Sequence, residues 1–265
     1  MKLWRQLICL LMVLYIVLGA NVAAAQYQNG IPVLLYHHVS DDSSDLPKLT
    51  VTPAEFERQM AMLKNAGFQT IPPGKLIAYM RDEPVTLPAK PILITFDDGY
   101  EDNYANAFPI LKSMEFRAVI FMVGVNLDRD KRLSSHQVQE MSAYGITFGG
   151  HSVTHRDLTT LTGTALNHEV GDIKKKLTNV TTYEADLFSY PYGYFNLTTW
   201  DAVVAAGYQA AFTTLPGLNS SKQDNVYLLR RIPIYSTTDF SALFILLNAN
   251  QPKTQLLEYS PESAE

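Results

Sequence analysis

The stretch Pro91 to Gly99, PILITFDDG, decides how the chain is read. Ile92, Leu93, Ile94 and Phe96 form a short, nearly continuous apolar run, the pattern of a strand covered on both faces. Pro91 opens the run and Gly99 breaks it. Inside a strand, Asp97 and Asp98 would point to opposite faces, and one carboxylate would be buried without a partner. At the end of the strand, the glycine turn frees both to face one cavity. The carboxyl end of a parallel strand is where α/β enzymes carry their chemistry. Asp-Asp-Gly is also ordinary turn sequence, so the tripeptide does not decide the matter alone.

A second cluster downstream does more. His151-Ser-Val-Thr-His155 puts two imidazoles four residues apart, on one helical face or at neighbouring points of a tight loop. Either arrangement can grip one metal ion, although surface coincidence would give the same spacing. Two histidines and one carboxylate make the three-ligand open site of a hydrolytic zinc centre, with a fourth position left for water.

TFDDG (Thr95 to Gly99), followed about fifty residues later by HSVTH, resembles the first two signature motifs of the polysaccharide deacetylases. These NodB-homology enzymes remove N-acetyl groups from amino-sugar polymers. The resemblance covers most of the chain after residue 30. It implies that Asp98, His151 and His155 hold the metal and that Asp97 is the general base. Zinc is the first choice of ion, with cobalt, nickel or iron also compatible with imidazole and carboxylate.

Two further stretches fit the resemblance, one with a departure. Pro32 to Val39, PVLLYHHV, is an apolar strand ending on two histidines. In one branch of the family, which includes poly-N-acetylglucosamine deacetylases, the first His of a YHxV strand is the catalytic acid and replaces a His near the C-terminus. The last histidine here is His168, so the resemblance assigns the acid to His37. His38 reads as a residue capping a strand end on backbone. Ser189-Tyr-Pro-Tyr-Gly193 resembles the third motif, but relatives usually carry Arg where Ser189 stands, to hold the base. Arg231, in LLRRIPI, is the candidate substitute, able to keep Asp97 ionised; a solvent-facing strand arginine is the alternative. Tyr192 matches the tyrosine whose backbone N–H holds the oxyanion. Tyr190, Pro191 and Phe195 are candidates for a sugar platform, or else core aromatics.

The remainder of the chain sets bounds. With 265 residues, 47% hydrophobic, there is apolar content for one α/β domain. Strand and helix signals alternate, which predicts a parallel sheet closed or nearly closed, and the family's distorted (β/α)7 barrel fits. Helices are expected at 53–66, 73–80, 100–114, 134–144, 164–178 and 196–206, and the last strand at 226–235. The basic run Lys174 to Lys176 reads as a solvated C-terminal helical turn.

Residues 1–25 read as a signal peptide, with Lys2 and Arg5 before an apolar Leu7 to Leu18 and a small-residue stretch Ala23 to Ala25. An uncleaved anchor is the alternative, and the only case in which a membrane would be a partner. The domain is expected over 26–248, and 249–265 as a polar tail. The single Cys9 falls in the leader, so the mature chain has no disulfide to form. The net charge of −5 becomes −7 without Lys2 and Arg5, which disfavours nucleic acid.

The expected partner is an acetylated amino-sugar polymer met by a secreted, periplasmic or cell-wall-associated monomer. O-acetyl removal from xylan and a catalytically dead carbohydrate-binding protein are the alternatives. Asn179, Asn196 and Asn219 head glycosylation sequons.

Overall fold

A computed structural model describes residues 30–220 and 225–250. The expected leader, and the tail beyond residue 250, lie outside the described residues. The first half contains β1 (Val33–Tyr36), β2 (His38–Val39), β3 (Thr50–Val51), α1 (Pro53–Asn65), β4 (Gln69–Thr70), α2 (Pro73–Met80) and β5 (Pro91–Asp98). A π-helical turn (Asn103–Ala107), α3 (Phe108–Ser113), β6 (Val119–Met122), α4 (Ser135–Tyr144) and β7 (Thr147–Gly150) follow. The chain continues through α5 (Gly163–Thr181), β8 (Leu187–Ser189), α6 (Leu197–Ala205), β9 (Ala210–Phe212), β10 (Ile232–Pro233) and α7 (Phe240–Ala249).

The main sheet runs β10-β1-β5-β6-β7-β8-β9, every neighbouring pair parallel, with β4 added beside the start of β5. It curls into a half-barrel with helices packed on its outside, the (β/α)7 architecture expected. Alternation along the strands sorts the core into two layers. Ile92, Ile94 and Phe96 of β5 pack outward with helix residues such as Phe56, Leu63 and Leu111. Leu93 joins Val33, Phe121, Leu187 and Phe212 inside the curl, where Leu76, Ile77 and Met80 of α2 close the end near the strand starts. The apolar interior leaves the opposite, carboxyl end for polar groups.

Helix starts follow their capping sequences. Thr52 accepts from the Glu55 N–H ahead of Pro53, and Ser134 forms a reciprocal capping box with Gln137. Four expectations need correction. The helix expected at 100–114 begins as the π-turn, because Pro109 has no N–H and its ring would clash with the Ala105 carbonyl in an α-turn. Lys174 to Lys176 lie within α5 rather than in its last turn. Lys174 Nζ donates to the Gly207 carbonyl and Lys176 Nζ to that of Gly124, so these lysines tie the helix to neighbouring loops.

Within 226–235 only Ile232–Pro233 forms a ladder. Leu229 bridges β9 at Phe212, and three residues later the chain pairs with β1, so one segment spans the two ends of the sheet and cannot ladder along either. The fourth correction is Asn219, which is fully buried. Its amide donates to the Ile31 and Arg230 carbonyls and accepts from the Arg230 N–H, leaving no room for a glycan. Helix α7 was not foreseen, since 236–248 has no break between apolar residues that marks a face.

Candidate active site

Positive backbone φ angles build the site from β5. Alternation sends Asp97 inward with Leu93 and Thr95, and would send Asp98 outward with Phe96. Asp98 at φ 75° and Gly99 at φ 70° instead turn the chain, so that both aspartates line one cavity of about 370 Å³. His37, Tyr100, His151, His155 and Tyr192 line it too, and Leu46 and Leu49 flank it. The lining comes from the carboxyl ends of β1, β5, β6, β7, β8 and β9 or the loops that follow them, and from the loop after β2.

Asp98, His151 and His155 offer ligand atoms that all lie within 4.8 Å of one another. His155 Nε2 is 3.4 Å and His151 Nε2 3.7 Å from Asp98 Oδ1. The HSVTH stretch is a tight loop rather than a helix, held by left-handed Ser152 (φ 61°) and His155 (φ 60°) and by Ser152 Oγ accepting from the His155 N–H. His151 Nδ1 lies 2.7 Å from the Ser189 carbonyl, which only accepts, so Nδ1 carries the proton and Nε2 is bare. Burial lowers the His151 pKa and outweighs the opposing pull of Asp97 and Asp98, keeping the ring neutral. A bare imidazole nitrogen therefore faces carboxylate oxygens, acceptor against acceptor. That arrangement fits a cation between them.

Asp97 is held differently. Arg231, fully buried, donates Nη1 to Oδ1 at 2.7 Å and Nη2 to Oδ2 at 2.8 Å. Its Nε donates to the Thr213 carbonyl, and Nη2 also donates to Ser189 Oγ at 2.9 Å. The guanidinium thus stands directly against Ser189. Burial pushes the Asp97 carboxyl up, but the Arg231 guanidinium, through its charge and its hydrogen bonds, outweighs this and holds the group well below the usual carboxylate range.

His37 borders the cavity with its Nδ1 buried and without a hydrogen-bond partner. Burial lowers its pKa, partly opposed by Asp97 and Asp98. Tyr192 sits at φ 59° with its ring 53% exposed and 4.6 Å from the His155 ring. Tyr190 and Pro191 do not reach the cavity. Both are buried, Tyr190 completely, against Phe188 and the half-buried Phe195, so the platform expected from them is absent. The aromatic rings open to solvent are Tyr192 and Tyr194 instead.

Comparison with known proteins places the chain in a family. The Polysaccharide deacetylase family profile matches residues 85–211. The chain is 36% identical over 204 residues to Bacillus subtilis YxkH, a protein named as a polysaccharide deacetylase, covering 77% of this chain and 71% of the relative. The chain belongs to the polysaccharide deacetylase family.

Another family member, the poly-beta-1,6-N-acetyl-D-glucosamine N-deacetylase of Staphylococcus epidermidis, is 28% identical over 206 residues, 72% of this chain and 70% of the relative. The Streptococcus pyogenes deacetylase PplD, solved in complex with acetate, superposes with a TM-score of 0.75 at 26% identity, over 83% of this chain and 99% of that one. Within this family frame, several cavity residues carried no signal in the sequence. Tyr100 donates its hydroxyl to Asp98 Oδ2 at 3.1 Å and has the Arg132 guanidinium 4.0 Å from its ring. His38 bonds the Asp102 carboxylate through Nδ1 rather than a backbone group.

Proposed function

We propose that the protein hydrolyses N-acetyl groups on a polysaccharide containing N-acetylglucosamine, releasing acetate and a free amine with the aid of one divalent cation. The observation that carries this reading is the bare His151 nitrogen and the His155 ring turned on Asp98, beside a separate carboxylate fixed by Arg231. Asp98, His151 and His155 would hold the cation, which would supply Lewis acidity for a water and for the acetamide carbonyl; zinc suits the donor set best.

Asp97 accepts the proton of the attacking water. The fork from Arg231 keeps it ionised and aims its oxygens, and Ser189 supplies a further donor. The Tyr192 N–H donates to the oxyanion, a contribution of the kind worth about 10²–10³-fold. His37 protonates the amine as the C–N bond breaks, a step that acid catalysis speeds by about 10²–10⁴-fold. Its lowered pKa makes the protonated ring a stronger acid than free imidazolium, while reducing the protonated fraction at neutral pH.

Tyr192 lines the cavity, and its ring with that of Tyr194, 5.7 Å away, offers sugar rings an exposed apolar face. Poly-N-acetylglucosamine is the preferred polymer, supported by the Staphylococcus relative. Such a polymer lies outside the cytoplasm, in keeping with the leader read at 1–25 and with a secreted or wall-associated monomer.

Asp98→Ala should lose metal, whereas Asp97→Asn should keep metal and lose turnover. Metal analysis with equal occupancy in Asp98→Ala and wild type would overturn the ligand assignment.

A further inference from the structure

The His37 ring has no hydrogen bond from its buried Nδ1, so its aim into the cavity depends on the backbone that carries it. That backbone is gripped from one side by the π-turn that follows the catalytic strand. Asn103 Nδ2 donates to the His37 carbonyl at 2.8 Å, and Asn106 Nδ2 to the Val39 carbonyl at 2.8 Å. Asp102 Oδ1 accepts from the Val39 N–H at 3.1 Å, and Asp102 Oδ2 meets His38 Nδ1. Every residue from His37 to Val39 is therefore tied to Asp102, Asn103 or Asn106.

Asn103 is the telling member. It is 1% exposed, and its Oδ1 is buried with no partner. An orphaned buried acceptor destabilises a fold, and an apolar residue of similar size would avoid it. What asparagine supplies is its amide N–H group, which also donates to Asp102 Oδ1 at 2.9 Å. The residue makes sense for its donor, which fixes the carbonyl of the residue bearing the acid.

We propose that Asn103, with Asn106 and Asp102, is a positioning element for His37. The π-turn couples the aspartate-bearing strand to the acid-bearing one, so that base and acid keep register across the scissile bond. This rests on the acid role assigned to His37 above, and predicts that the clamp acts on proton delivery to the leaving group and on nothing else.

The test compares two substrates. An N-acetylglucosamine oligomer has an amine leaving group that must be protonated, whereas an aryl acetate releases a phenolate that needs no proton. Asn103→Leu should lower kcat on the oligomer by about 10-fold or more, within the span general acids contribute. KM, zinc affinity and aryl acetate turnover should stay near wild type. Its melting temperature should fall, because the His37 carbonyl and the Asp102 carboxylate each lose a donor, so turnover is compared per folded enzyme.

In a His37→Ala background the same substitution should have no further effect on the oligomer. Asn106→Ala, at a half-buried site, should reproduce the pattern more weakly and provides a second variant if Asn103→Leu folds poorly. Equal losses on both substrates, or a full additional loss in the His37→Ala background, would overturn the positioning role. Unchanged oligomer turnover in His37→Ala itself would instead overturn the acid assignment on which the role rests.

Discussion

Arg231 decides whether the buried Asp97 can exist as a carboxylate. Removing it in Arg231→Ala leaves an uncompensated buried charge, a change that typically costs about 3–5 kcal/mol, measurable by denaturant unfolding. Asp97 has its pKa depressed in the fold, so the pair's contribution is full above the unfolded carboxyl value near ~4 and is lost only as pH falls through the lower folded value. Without Arg231, burial dominates and raises the carboxyl. The acid limb of the kcat/KM profile should then move to higher pH, and an unmoved limb would exclude Asp97 as the base. Arg231→Lys should rescue only partly, since an ammonium cannot form the two-pronged contact.

That Asp97, Asp98, His151 and His155 meet in one cavity was legible because their spacing is strict. Arg231 was legible only through the departure at Ser189. Tyr190 was misassigned because a PYG turn does not reveal which of its aromatics faces inward. Here the left-handed Tyr192 turns its ring out and leaves Tyr190 in the core.

Among the elements, the end of β5 carries the greatest local demand. Gly99 holds φ 70° with the Met122 side chain packed where a Cβ would stand. Gly99→Ala should destabilise by more than about 1 kcal/mol, and should depress acetate release further by shifting Asp98. Loss of stability without loss of specific activity in the folded fraction would separate the turn from the site. By contrast, Ser134→Ala removes one cap of α4, a side chain that pairs with Gln137 and does not line the cavity, and should cost about 1 kcal/mol with turnover intact. Most element positions followed from caps, prolines and glycines. The π-turn was missed although Pro109 stands inside the expected helix, because a proline shows that an α-turn fails and not what replaces it. The spanning segment at 229–233 was read as one strand because period and apolarity do not say which neighbour each residue meets.

For the whole molecule, binding of an ion to the folded state alone must raise stability. At a free zinc concentration of about 100 Kd the gain is about 2.7 kcal/mol, or roughly 5–10 °C in melting temperature for a chain of this size. A chelated protein melting at the same temperature as the zinc-loaded one would count against a folded-state site. The half-barrel was legible in the alternation of strand and helix, and joins six separate strand ends at one rim. No described helix is long and apolar enough to cross a membrane.

The most direct measurement is acetate release from β-1,6-linked N-acetylglucosamine oligomers by chelator-stripped protein titrated with zinc. Release should be absent at the start and rise to a plateau at one ion per chain. Undiminished release before any zinc is added, or release from acetylxylan alone across the titration, would contradict a metal-assisted N-deacetylase.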